Sequence, residues 1–136
     1  MNKNIIIIGT RRRDSEEDFQ LVFDTFKEYY REGDKIISGA CPQGGDRFAE
    51  VIASRMGLTE ENGSLILHRP KKPKAGSPKW AYAKTFYERN TVVANETEED
   101  SVVIACVALD RTGGTEDTIR KIKRKGKMNL INLRLV

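Results

Sequence analysis

Two hydrophobic rhythms alternate along this chain. The first is a short unbroken apolar run. Ile5-Ile6-Ile7-Ile8 is β-branched throughout, the pattern of a strand buried on both faces of a parallel sheet. The second is helical spacing: Phe19, Val22, Phe23, Phe26 and Tyr30 fall on one face, with Ser15 or Asp14 available as a cap and acids in the first turn. Gly33 ends that helix, Lys35 to Ser38 predicts a second strand, and a glycine-rich loop runs from Gly39 to Gly45. From about Asp46 to Met56 a new stripe of Phe48, Ala49, Ile52 and Met56 is closed by Gly57. Ser64 to Leu67 predicts a third strand, and Arg69 to Lys79, with Pro70, Pro73 and Pro78, a basic loop. Trp80 to Asn95 is helical again, with Ala83, Phe86, Tyr87 and Val93 inward. Ser101 to Leu109 predicts a fourth strand, Thr115 to Lys125 a helix ended by Gly126, and Asn129 to Leu133 a fifth strand.

Five strands interleaved with four helices predict a Rossmann-like α/β domain over residues 1–136, with about five parallel strands and helices on both faces. In such sheets ligands bind outside the carboxyl ends of the strands, where the strand order reverses. The loops that follow the strands are therefore where chemistry is expected.

Composition narrows the picture. With 38% hydrophobic and 32% charged residues the chain is not of the disordered class. Its longest apolar run is far short of the roughly 20 residues of a membrane span. That run lacks a preceding basic region, so it reads as a strand and not a signal peptide, and a cytoplasmic location is the default expectation. Two cysteines, Cys41 and Cys106, and one histidine, His68, give no disulfide framework and no metal-ligand spacing. Neither a metal ion nor a cofactor is expected. The net charge of +4 suits phosphate ligands without establishing nucleic-acid binding.

Four loops and one helix hold the candidate residues. Gly9-Thr10-Arg11-Arg12-Arg13 lacks the GxGxxG dinucleotide pattern, but offers a tight turn, a hydroxyl and guanidinium forks suited to phosphate. Its last two arginines fit a solvated turn equally well. In Ser38-Gly39 through Gly44-Gly45-Asp46-Arg47, glycines let backbone N–H groups approach an anion at a helix N-terminus. Asp46 suits ribose hydroxyls or, more simply, a helix cap. Cys41 has no local activating group and reads as passive. The basic stretch after His68 reads as a solvated loop, a lid or a phosphate-attracting rim. Gly113-Gly114-Thr115-Glu116-Asp117 opens a helix and forms a second anion cradle, with Thr115 alternatively a plain N-cap. Arg89-Asn90 lies on the helix between them.

Taken in order, these segments resemble the SLOG superfamily (Smf/DprA and LOG proteins), particularly its small stand-alone YspA/YpsA-related branch. That branch shows a GSR-like segment, an SGGARGAD-R-x-AE loop, an RN-containing helix and a GGxGTxxTxR loop. The matches are Gly9-Thr10-Arg11, then Ser38-Gly39 with Gly45-Asp46-Arg47-Phe48-Ala49-Glu50, then Arg89-Asn90, then Gly114-Thr115 with Thr118 and Arg120. The resemblance implies a pocket for a nucleotide or nucleotide-derived small molecule, serving a sensor or a nucleotide-processing protein. Phosphate would be held by Arg11, the Gly44-Gly45 loop and the Gly113-Gly114-Thr115 loop, with Gly9, Thr10 and Gly39 beside them. Asp46 and Asn90 would read ribose or base.

LOG-type relatives hydrolyse the N-glycosidic bond of a nucleoside 5'-monophosphate with an arginine and a glutamate in a PGGxGTxxE segment. Here Thr118 stands at that glutamate's place, and Arg111-Thr112 replaces its first glycine pair. A catalytic reading therefore turns to Glu116, Asp117 or Asp46 as carboxylate, with Arg89 as cation. A third expectation is DprA-like single-stranded nucleic-acid binding, through Arg120, Lys121, Lys123, Arg124, Lys125 and Lys127 and the lysines after Pro70. Small relatives of this kind often self-associate, so a homo-oligomer is a further expectation; a membrane partner is not.

Overall fold

A computed structural model describes residues 2–41, 43–125 and 132–136. Strands and helices alternate as β1 (Asn4–Gly9), α1 (Glu16–Tyr29), β2 (Lys35–Ser38), α2 (Gly45–Met56), β3 (Leu65–Leu67), α3 (Lys79–Asn95), β4 (Val102–Cys106), α4 (Gly114–Lys125) and β5 (Leu133–Leu135). All neighbours pair in parallel, in the order β3-β2-β1-β4-β5. This is the Rossmann-like α/β architecture, and its strand order reverses between β1 and β4.

The central strands are buried because they are covered twice. Side chains alternate across a strand, so Ile5, Ile7, Ile36 and Ile104 meet Phe19, Val22 and Phe26 of α1 and Phe48, Ala49 and Ile52 of α2. Ile6, Ile8, Ile37, Val103 and Ala105 face the other way, onto Val93 and Ala94 of α3 and Ile119 and Ile122 of α4. An uninterrupted isoleucine run is what such a strand requires. No helix among the described residues is long and apolar enough to cross a membrane.

Several expectations need correction. Ser15, not Asp14, caps α1, in a capping box with Asp18. The fourth strand stops at Cys106, and Leu109 sits in a turn, 100% exposed. Met56 is exposed at the end of α2. Of the residues placed inward on α3, only Val93 is buried. Asn90 and Ala94 join it, while Phe86 and Tyr87 are 40% and 52% exposed. α3 begins above the carboxyl edge of the sheet, where there is no strand for its first turns to cover. The fifth strand is observed at Leu133–Leu135; Asn129, Leu130 and Ile131 of its expected span, and Gly126, lie outside the described residues.

Two charged side chains fasten the edges. Arg13 donates to the carbonyls of Val107 (3.0 Å) and Val136 (2.5 Å) and pairs with Asp18, tying the end of β5 to α1. Asp34, with a fully buried side chain, accepts from the Lys3 and Arg31 backbone N–H groups (2.9 and 2.8 Å) and from Lys3 Nζ (2.5 Å). Burial pushes its carboxyl up, but the Lys3 and Arg31 hydrogen bonds outweigh this and hold it below the ordinary 3.8. A folded value below the unfolded one stabilises the protein above the unfolded pKa, and that contribution is lost as pH falls through the folded value. Asp34→Asn is expected to cost about 1–2 kcal/mol at neutral pH. In thermal melts the gap between wild type and variant should close below about pH 4; a gap independent of pH would refute the ionised role.

Candidate functional site

At the reversal point the backbone itself shapes a cavity. Gly9 ends β1, and a Cβ there would lie 2.9 Å from Gly45 Cα and from Cys106 Cβ. A Cβ on Gly45 would in turn overlap the Gly9 nitrogen and the Ile8 carbonyl. Gly44 has φ +72° and packs on the Thr10 carbonyl. These glycines let α2 rest directly on the end of β1. Neither Gly44 nor Gly45 lines the cavity beside them.

That cavity has a volume of about 400 Å³, within the range of small-molecule sites. The turn after β1 contributes Gly9, Thr10, Arg11 and Arg12; the loop after β2 contributes Gly39, Cys41 and Asp46; the start of α4 contributes Gly113, Gly114, Thr115 and Thr118. From α3 come Arg89 and Asn90, with Phe86 and Tyr87 as an aromatic edge. Sequence reasoning assigned those two aromatics to the core; their missing strand partner is what frees them for the cavity.

The two glycine loops differ in one decisive way. At the first, Asp14 reaches back, accepts from the Gly44 N–H (2.7 Å) and pairs with Arg47 (2.8 Å). The Gly44 hydrogen bond, followed by Arg47, holds the Asp14 carboxyl below its usual range. The protein thus supplies its own anion there. At the second, the N–H groups of Gly114, Thr115 and Glu116 have no intrahelical acceptor and donate to no other described residue. Arg11 likewise makes no hydrogen bond or ion pair among the described residues. An exposed guanidinium and an open helix N-terminus therefore border one cavity, a setting suited to a phosphate.

Asp46, Arg89 and Asn90 form a buried polar floor. Asp46 lies in the first turn of α2 but is not its cap, a place taken by Gly44. It accepts from the Cys41 N–H (3.0 Å), and Arg89 stands 3.7 Å away. Arg89 also donates to the Gly39 carbonyl and to Asn90 Oδ1 (3.0 Å), while Asn90 Nδ2 reaches the Gly114 carbonyl (3.3 Å). These bonds pin the peptides on either side of Ala40, held at φ +61°, a conformation that persists only where the surroundings enforce it. Ser38 Oγ lies 2.5 Å from the Ile7 carbonyl and 2.9 Å from Asp46 Oδ1. One hydroxyl carries one proton, so Ser38 donates to one of these two acceptors at a time. Burial pushes the Asp46 carboxyl above its ordinary value, against the opposing pull of Arg89, Cys41 and Ser38.

Glu116 and Asp117, proposed as catalytic from sequence, are placed elsewhere. Glu116 accepts a bidentate fork from Arg111 (2.9 and 2.9 Å). Asp117 is held by Lys121 (2.8 Å) and Asn90 (3.3 Å). Neither lines the cavity, whereas Thr118 does, its hydroxyl bonded to the Gly114 carbonyl (3.2 Å). Thr115 is the second residue of α4, not its cap. The basic run of α4 is partly committed as well. Lys121 serves Asp117, Arg120 lies 3.7 Å from it, and Lys125 donates to the carbonyls of Asn95 (2.5 Å) and Thr97 (3.1 Å) at the end of α3. Lys123 and Arg124 are exposed, and Lys127 lies outside the described residues. No cluster of three or more His, Cys, Asp or Glu residues that could hold a metal ion occurs among the described residues. Burial pushes the Cys106 thiol up to about 11, with Arg13 opposing, so it is no nucleophile.

Comparison with protein-family models, with curated proteins and with solved structures found no match in any of the three. The site is read on its own geometry. Gly45→Ala should fail to fold or lose about 3 kcal/mol or more, because its methyl meets backbone on a packed strand. At Gly114 a methyl meets only Asn90 Nδ2, at an ordinary 3.7 Å, so Gly114→Ala should melt within a few degrees of wild type. Equal losses by urea unfolding would refute this division of labour.

Proposed function

We propose that this chain binds a nucleotide or nucleotide-derived small molecule in the cavity at the β1/β4 reversal, as a sensor or a nucleotide-processing protein. The observation that carries this is the pairing on one cavity of the α4 N-terminus, whose first N–H groups have no acceptor among the described residues, with the Arg11 guanidinium, which has no partner among them either. Phosphate would sit there. Phe86 and Tyr87 supply apolar faces for a base, and the Asp46–Arg89–Asn90 floor supplies polar contacts for a ribose. The order of four segments shared with the SLOG superfamily points the same way.

Thermal unfolding against the nucleoside mono-, di- and triphosphates, cyclic nucleotides and ADP-ribose tests this. A ligand at about a hundred times its dissociation constant adds about 2.7 kcal/mol, a shift on the order of 5–10 °C for a domain of this size. Arg11→Ala should weaken binding at least about tenfold, from loss of a charge-assisted contact. Gly114→Asp should abolish it by placing a carboxylate where the phosphate belongs. A panel without a shift, or variants that bind like wild type, would refute the assignment.

A second reading, hydrolysis of a nucleoside 5'-monophosphate to free base and sugar phosphate, is favoured by one observation. Asp46 is the one carboxylate lining the cavity among the described residues, and burial pushes its carboxyl above the ordinary value, with Arg89 opposing. In its acid form it would give its proton to the departing base as water bonds to the anomeric carbon, and the carboxylate left beside Arg89 would take up the proton that water loses. If so, Asp46→Asn lowers base release about 100-fold or more while nucleotide binding persists. Absence of base release by the wild type from all the common monophosphates excludes hydrolysis and leaves binding intact.

A further inference from the structure

Arg12 is the second guanidinium on the cavity, and unlike Arg11 it is occupied. Its Nη2 donates to the Thr112 carbonyl (2.7 Å) and hydroxyl (2.9 Å), and its Nη1 to Asp110 Oδ2 (2.9 Å). The residues joined lie 98 positions apart in the chain. The bond joins the turn after β1, where Arg12 lines the cavity, to the loop after β4, which reaches the cavity at Gly113. Asp110 also accepts from the Thr112 N–H (3.2 Å) and hydroxyl (2.7 Å), which shapes that loop. Both partners of the ion pair are more than half exposed, at 52% and 59%, so the pair exchanges readily with solvent and with competing anions.

We propose that Asp110 is a built-in competitor for the ligand's anion, holding Arg12 until a terminal phosphate takes its place. The proposal rests on the phosphate site described above and adds its selectivity. Arg12 keeps its Nη2 bonds to Thr112 and exchanges one acceptor, Asp110, for a phosphate oxygen. A phosphodiester carries a single charge, so trading a carboxylate for it gains little. A terminal phosphate carries close to two charges and three strong acceptor oxygens, enough to engage Arg11 and Arg12 together. The site therefore favours nucleotides ending in a phosphate monoester over those whose phosphate is esterified on both sides. The Asp110 carboxyl, lowered to about 2 by the Arg12 and Thr112 hydrogen bonds, stays charged at every working pH and competes throughout.

Calorimetric titration of wild type and Asp110→Asn with the four nucleoside 5'-monophosphates and their 5'-phosphate methyl esters decides the matter. The asparagine keeps an oxygen for Thr112, so the loop is retained, which a melting curve verifies. Wild type should prefer the monoester. In Asp110→Asn the methyl ester should bind about three- to fivefold tighter, the size of effect an exposed ion pair exerts, and the preference should narrow. In an Arg12→Gln background the Asp110 substitution should change nothing, because the competition acts through Arg12. If wild type binds the monophosphates and Asp110→Asn binds both ligands no tighter, the competitor role is overturned and the phosphate site stands. If neither protein binds either ligand class, both fall.

Discussion

The molecule depends on one approach of backbone to backbone, α2 against the end of β1. Where Gly45 rests on Ile8 and Gly9, no side chain intervenes, and this sets how close the loops after β1 and β2 come to each other. Everything at the cavity inherits that distance. Asp14 can reach the Gly44 N–H only because the turn after β1 lies against the start of α2. Arg89 can reach both the Gly39 carbonyl and Asp46 only because the loop after β2 is drawn in over the sheet edge. One methyl group at Gly45 would meet the backbone of β1 itself, so the sheet and the floor of the cavity depend on the same contact.

The charges around the cavity then divide into two classes. Asp14, Glu116 and Asp117 are each matched within the protein, to Gly44 and Arg47, to Arg111, and to Lys121 and Asn90. These groups brace the loops around the cavity without lining it. Arg11 and the first turn of α4 are left without internal partners among the described residues. A protein is expected to satisfy such groups from solvent or ligand, and here they converge on a concave surface.

Much of the fold was legible in the sequence. Ile5 to Ile8 has one reading as a doubly covered strand, and Phe19, Val22 and Phe26 one as a buried helix face. Both came out that way because the sheet covers what the pattern says is apolar. α3 was legible as a helix but not in its orientation. Phe86 and Tyr87 follow the same apolar code as core residues, and nothing local says that the first turns of α3 rise above the sheet. The candidate site was legible by its loops, less by roles. Gly44-Gly45 and Gly113-Gly114 look alike on paper, and it takes Asp14, thirty residues before Gly44, to distinguish a packing joint from an open cradle. The Arg12–Asp110 pair had no signal at all, since a contact across 98 positions leaves no trace in local spacing.

The same division bears on chemistry. A glycosidic bond breaks through a cationic transition state that a carboxylate stabilises from nearby, and Thr118, at the position that a LOG-type segment fills with glutamate, lines the cavity. Threonine offers a neutral hydroxyl already bonded to the Gly114 carbonyl. Glu116 cannot replace the missing carboxylate without leaving both nitrogens of Arg111, and Arg111 is itself held at φ +55°. That leaves Asp46, whose carboxyl burial pushes above its ordinary value, with Arg89 opposing. Arg89 stands 3.7 Å from it, and that cation offsets the charge a carboxylate would offer to a developing oxocarbenium ion. Cleavage would therefore have to work through a carboxylate already engaged by a cation, which is why it ranks second to binding among the proposed functions.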